Sequence, residues 1–223
     1  MEPVDREVLR LTPGSPPRVA ILPTAAGQED VTPWITNGVS HFERLGCVVD
    51  GVRATDRSGV ENPELVARLE AADLVYLSGG SPGYLTDTLR DSAALRAIVA
   101  VWQRGGTLAG SSAGAMAVCQ WTLVRRSGDA GWMPSHWAPG LNLLPGVGVI
   151  PHYDRFGPER TTARLADVPP GVVVLGIDED TVVLHAANQI RVLGRRSVTV
   201  WRDGQSQVFE TGQEIPADVV LLP

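Results

Sequence analysis

The chain has 223 residues, 43% of them hydrophobic and 20% charged, a length and balance that suit one large folded domain and exclude a disordered or collagen-like polymer. Its 19 basic and 25 acidic residues leave a net charge of −6, so the long-range field repels phosphate backbones and nucleic acid is not an expected partner. Two cysteines, Cys47 and Cys119, cannot build a disulfide framework, and no CxxC or Cys/His cluster supplies metal ligands.

The opening residues mix acids and bases without an apolar stretch of signal-peptide length, and no run of eighteen apolar residues occurs anywhere. A cytoplasmic protein with no membrane partner is the expectation. Residues 1–17 read as a Pro-rich extension, and 18–223 as one α/β domain with no internal repeat. Short apolar runs then mark buried strands at Val19–Leu22, Cys47–Val52, Leu74–Leu77, Thr107–Ala109, Val147–Ile150 and Val172–Ile177. Between them, Pro33–Leu45, Pro63–Ala71 and Ala93–Arg104 carry helical spacing, with Asn62-Pro63 and Asp91-Ser92 as starts.

This alternation predicts an α/β three-layer sandwich, with a mostly parallel central sheet and helices on both faces. The last quarter changes character. Thr181–Leu184, Ile190–Val192, Val198–Trp201 and Gln207–Phe209 are short strands with little helix between them, and Asp203-Gly204 suits a hairpin turn. They predict a C-terminal antiparallel β appendage.

The most informative segment is Gly105–Cys119, where an apolar strand runs into Gly110-x-Ser112-x-Gly114 and a small-residue helix start. That context is the one a nucleophile elbow requires, because the nucleophile sits in a strained turn and only glycines relieve the surrounding contacts. A purely structural turn would have the same local pattern. A second strand, Leu74–Leu77, also ends in glycines, Gly79-Gly80. Both turns emerge at the carboxyl edge of a parallel sheet, where such folds bind ligands. The backbone N–H groups of Gly80 and Ala113 are therefore expected to form an oxyanion hole for Ser112.

Of the four histidines, His41 lies in a helical pattern, His136 in an irregular loop and His185 after an edge-like strand. His152 follows Pro151 at a strand end and is the expected base. A carboxylate should fix its tautomer. Asp178, Glu179 and Asp180 follow the most apolar strand, and spacing leaves the choice among them open. Trp121–Trp137 holds three of the six tryptophans, as an apolar lid or as packing under a loop.

In order along the chain, Gly79-Gly80, Gly110-Ser111-Ser112-Ala113-Gly114-Ala115, Pro151-His152-Tyr153 and Gly176-Ile177-Asp178-Glu179-Asp180-Thr181 resemble the S51 peptidase family, which includes dipeptidase E and cyanophycinase. The family's architecture is similar to that of class I glutamine amidotransferases, with serine at the elbow in place of cysteine. The resemblance implies a serine peptidase acting on short peptides, possessing a Ser112-His152-Glu179 triad, an acyl-enzyme intermediate and no metal or cofactor. Cys119, placed in the helix after the elbow, reads as a small core residue, which disfavours glutaminase chemistry.

The likeness also implies substrate contacts. An arginine after the histidine would read a substrate aspartate, with Arg160 the first candidate and Arg164 the second; Ser81 and Tyr153 belong to the same motifs. Ser81-Pro82 departs from the family's polar pair after the glycine turn, which motivates an alternative: a catalytically silent binding protein on the same fold. An α/β-hydrolase esterase would place its acid before its histidine, against the order here. Both monomers and homodimers fit such a family.

Overall fold

A computed structural model of the protein describes residues 1–124 and 136–220. Its contacts divide into two compact units, Arg6–Ala115 and Met116–Pro223, the latter together with Met1–Asp5. The lead expected as an extension begins with a helix, α1 (Glu2–Leu11).

In the first unit, β1 (Arg18–Leu22) is followed by α2 (Thr32–Arg44), β2 (Val48–Gly51), α3 (Arg57–Glu61), α4 (Pro63–Glu70), β3 (Leu74–Leu77), α5 (Pro82–Leu89), α6 (Ala93–Gln103), β4 (Thr107–Gly110) and the start of α7 (Ala113–Ala117), whose last two residues fall in the second unit. The strands form a wholly parallel sheet in the order β2-β1-β3-β4. β1 and β3 are central because they are apolar on both faces: Ile21, Leu22, Leu74 and Leu77 are all fully buried. Each such side chain contributes roughly 1.5–3 kcal/mol by leaving water. Val19, Ile21, Phe42, Cys47 and Leu74 close one cluster, against which Val8 and Leu9 of α1 pack.

Helix starts obey their local chemistry. Asn62 caps α4 by accepting from the Glu64 N–H at 2.9 Å, with Pro63 in the first turn, and Ser92 caps α6 through the Leu95 N–H at 3.0 Å.

The second unit holds β5 (Cys119–Val124), β6 (His136–Pro139), β7 (Leu144–Pro151), α8 (Pro158–Leu165), β8 (Val173–Ile177), β9 (Thr181–Ala186), β10 (Gln189–Gly194), β11 (Ser197–Arg202), β12 (Gln205–Glu210) and β13 (Glu214–Ile215). Six strands pair in the order β12-β11-β8-β7-β5-β6, parallel through β5, β7 and β8 and antiparallel at both flanks. β9, β10 and β13 make a separate antiparallel sheet. The expected C-terminal strands are present, and β11 and β12 extend the mixed sheet. Asp203-Gly204 turns the β11–β12 hairpin with φ of 50° and 77°, the left-handed pair of a two-residue loop.

Two expected placements change. Cys119 opens β5 and is not helical, because α7 ends at Ala117. His136 begins β6, which pairs with β5, so Trp121 and Trp137 lie on a strand pair. Trp132 and the rest of residues 125–135 lie outside the described residues. No described helix is long and apolar enough to cross a membrane.

The register of the first sheet brings its functional turns together. Leu22, Leu77 and Gly110 align across β1, β3 and β4, so the segments after all three strands leave the same edge. The start of α7 is pressed onto β3: a Cβ on Gly114 would lie 2.2 Å from the Leu77 carbonyl oxygen, and one on Gly110 would lie 2.6 Å from the Gly114 carbonyl carbon. Gly114→Ala should therefore lower stability by about 1–3 kcal/mol, read as an earlier midpoint in urea denaturation. An unchanged midpoint would mean that the elbow tolerates a side chain.

Candidate active site

Ser112 stands between β4 and α7 with φ of 49°, in the left-handed region that a non-glycine residue rarely adopts. Such strain persists only where the surroundings impose it. Here the Ser111 N–H donates to the Leu77 carbonyl at 3.0 Å and the Gly114 N–H to the Ser111 carbonyl at 2.9 Å. Both bonds pin the turn from either side of Ser112.

Beside it lies the turn after β3. A Cβ built on Gly79 would come within 3.4 Å of the Ser112 Cβ, so the two glycine turns are in contact. Gly80 has φ of 142°, and a Cβ there would meet the Ala25 carbonyl oxygen at 2.3 Å. That carbonyl accepts the Ser81 N–H at 2.8 Å. Ser81 caps α5 through the Tyr84 N–H at 3.3 Å, with Pro82 in the first turn. The Ser81-Pro82 departure is thus a helix start. Sequence reasoning missed Trp34 on α2, whose partly exposed ring lies 3.6 Å from the same Gly79 Cβ position. Its signal was weak: a tryptophan in a helical pattern reads as core.

In the second unit, His152 also has a left-handed backbone, with φ of 54°, directly after Pro151 at the end of β7. A 3-10 turn, Tyr153–Arg155, follows. The His152 Nδ1 lies 3.3 Å from the Glu179 Oε1. The three consecutive acids have different partners. Asp178 accepts from the Ser197 N–H and hydroxyl at 3.2 and 2.8 Å, Asp180 pairs with Arg195 at 3.4 Å, and Glu179 reaches the imidazole.

Glu179 is held by more than His152. Arg155 donates through Nε and Nη2 to its Oε2 at 2.8 and 2.5 Å, and the Glu179 N–H donates to Asp154 Oδ1 at 2.8 Å. The Arg155 hydrogen bond first, and then the charges of Arg155 and His152, hold the Glu179 carboxyl below its usual range against a partial loss of hydration.

The remaining candidates are distributed differently. Tyr153 packs its ring against Gly176, where a Cβ would be only 2.5 Å away, and its hydroxyl accepts from Trp201 Nε1 at 2.7 Å. Arg160 is exposed on α8. Arg164 is 3% exposed, stacks 3.7 Å from the Phe156 ring centroid and donates to the Arg160 carbonyl at 3.1 Å. Its guanidinium is therefore engaged in packing on Phe156 and in the bond to Arg160. The Arg164 carbonyl accepts the Trp137 indole N–H at 2.8 Å, so Trp137 is a wall of the core and not of a lid. Among the described residues, no group of three or more His, Cys, Asp and Glu side chains is disposed to hold a metal ion.

The model of peptidase family S51 matches residues 1–193. The chain belongs to peptidase family S51. It is 29% identical over 189 residues to the cyanophycinase of Synechococcus elongatus, which covers 82% of the chain and 58% of that relative; the chain thus spans less than two thirds of the relative's length. It is 32% identical over 209 residues to the cyanophycinase of Nostoc sp., covering 87% of the chain and 68% of the relative. Peptidase E of Escherichia coli is 26% identical over 166 residues, 71% of the chain and 70% of the relative. A crystal structure of a peptidase from an acI-B1 Actinobacterium superposes with a TM-score of 0.84 at 30% identity, over 96% of this chain and 89% of that one.

In this S51 chain both free cysteines are buried. Cys119 is fully buried and its thiol is pushed up to about 12 by loss of hydration, and burial raises Cys47 too. Neither thiol should react with a disulfide reagent in the folded protein, and both should react once it is denatured. Fast native labelling of Cys119 would reopen cysteine chemistry.

Proposed function

We propose that the chain is a serine peptidase that hydrolyses short peptides, as an exopeptidase or dipeptidase, with Ser112 as nucleophile, His152 as base and Glu179 as the acid that orients it. The His152–Glu179 contact of 3.3 Å carries this reading. Membership of the S51 family supports it independently, as does the strained backbone at Ser112 in contact with the Gly79 turn.

In this mechanism His152 takes the Ser112 proton as the hydroxyl oxygen attacks the peptide carbonyl. The Gly80 and Ala113 N–H groups receive the oxyanion. Collapse passes the proton from His152 to the leaving amine, and the acyl group stays on Ser112. Water, deprotonated by the same imidazole, then releases the acid and restores the hydroxyl. Glu179 remains ionised throughout and supports the imidazolium without taking its proton.

The substrate reading is an Asp-containing short peptide, with exposed Arg160 meeting the carboxylate. Ser81 and Tyr153 contribute by shaping the turns beside Gly80 and His152, since their polar groups are already engaged.

Ser112→Ala should fold normally by circular dichroism and lose at least about 10³-fold of peptide hydrolysis. A panel comparing Asp-X dipeptides, neutral dipeptides and C-terminally blocked forms reads specificity in the same assay. Undiminished hydrolysis by the alanine variant would overturn the nucleophile, and dominant cleavage of neutral peptides would remove the role given to Arg160.

A further inference from the structure

We propose that Arg155 is a positioning residue, which grips one oxygen of Glu179 so that the other is aimed at His152; the proposal rests on the triad reading above. Glutamate is a demanding orienter. Its side chain is long, its terminal torsion is broad, and fixing it costs rotamer freedom. The structure divides its two oxygens between two partners. Arg155 Nε and Nη2 converge on Oε2, at 2.8 and 2.5 Å, while Oε1 faces His152 Nδ1.

The same short turn also holds the Glu179 backbone. Asp154 accepts the Glu179 N–H at 2.8 Å through Oδ1, and its Oδ2 pairs with Arg196 Nη1 at 3.0 Å. Thus the two residues after the Tyr153 ring grip Glu179 at its main chain and at its carboxylate. The turn begins at His152 itself, so base and acid are fixed by one continuous segment.

The charges around this grip determine its pH behaviour. Arg155 faces Glu179 from the turn, with Asp154 beside it. Asp178 is committed to Ser197, and Asp180 to Arg195, on the strand turns opposite. Among the described residues, Arg155 brings its guanidinium into direct contact with the Glu179 carboxylate. Removing it would favour protonation of the Glu179 carboxyl, whose ionised form Arg155 stabilises, shifting loss of the active form to higher pH. The guanidinium fork matters as well as the charge, because lysine cannot deliver two donors in a fixed plane to one oxygen.

The Arg155 side chain is 66% exposed, so its removal spares the core. The test measures the rate at which a small fluorophosphonate labels Ser112, against pH, in wild type, Arg155→Met and Arg155→Lys, alongside hydrolysis of the peptide panel. We expect Arg155→Met to label about 10- to 100-fold more slowly, with its acid limb moved upward. Arg155→Lys should keep the wild-type limb and recover part of the rate.

Wild-type rate and limb in Arg155→Met would overturn the positioning role while leaving the triad standing. So would slower peptide hydrolysis with an unchanged labelling rate, which would make Arg155 a substrate contact. Failure of wild-type Ser112 to label at all would instead remove the triad reading, and this proposal with it. Should Arg155→Met fail to fold, the lysine variant decides: full wild-type rate and limb with the fork removed overturns the proposal.

Discussion

Close backbone approach at the carboxyl edge of the first sheet is the constraint on which the site depends. β3 and β4 pair in parallel with Leu77 opposite Gly110, and the chain must then turn into α7 while its backbone rests on the Leu77 carbonyl. Only a residue without Cβ fits at Gly114, and two residues before it Ser112 holds a left-handed backbone. The strain at the serine is thus maintained by the burial of β1 and β3, whose apolar side chains hold the edge in register.

A parallel arrangement recurs in the second unit. Pro151 ends β7, His152 takes a left-handed conformation, and β8 delivers the acid run from the neighbouring strand. Parallel pairing of β7 with β8 explains how residues 27 positions apart, His152 and Glu179, meet at 3.3 Å. The three acids in sequence are then sorted by what β11 and its approach offer: Ser197 takes Asp178, and Arg195 takes Asp180. Glu179 is left to the turn that carries His152.

Much of the architecture is legible in the sequence itself. β3 matches the expected Leu74–Leu77, and the Asn-Pro and Ser caps started α4 and α6 where expected, because buried strands and capped helices are local signals. The elbow was legible for the same reason. α8 was not, since its buried member is Arg164, which replaces hydrophobic burial with stacking on Phe156. α5 was hidden similarly by buried Thr86 and Thr88. The choice among Asp178, Glu179 and Asp180 could not be read from spacing at all: it depends on Ser197, Arg195 and Arg155, partners that only the folded chain assembles.

In the proposed mechanism one serine hydroxyl is activated by an imidazole whose orientation Glu179 sets. A crystal structure of the protein after fluorophosphonate treatment would decide the matter. We expect a phosphonyl group bonded to Ser112 Oγ, its oxygen facing the Gly80 and Ala113 N–H groups, with His152 Nε2 within about 3.2 Å of the modified serine or the phosphonyl oxygens. An adduct on another residue, or an imidazole held far from Ser112, would contradict it.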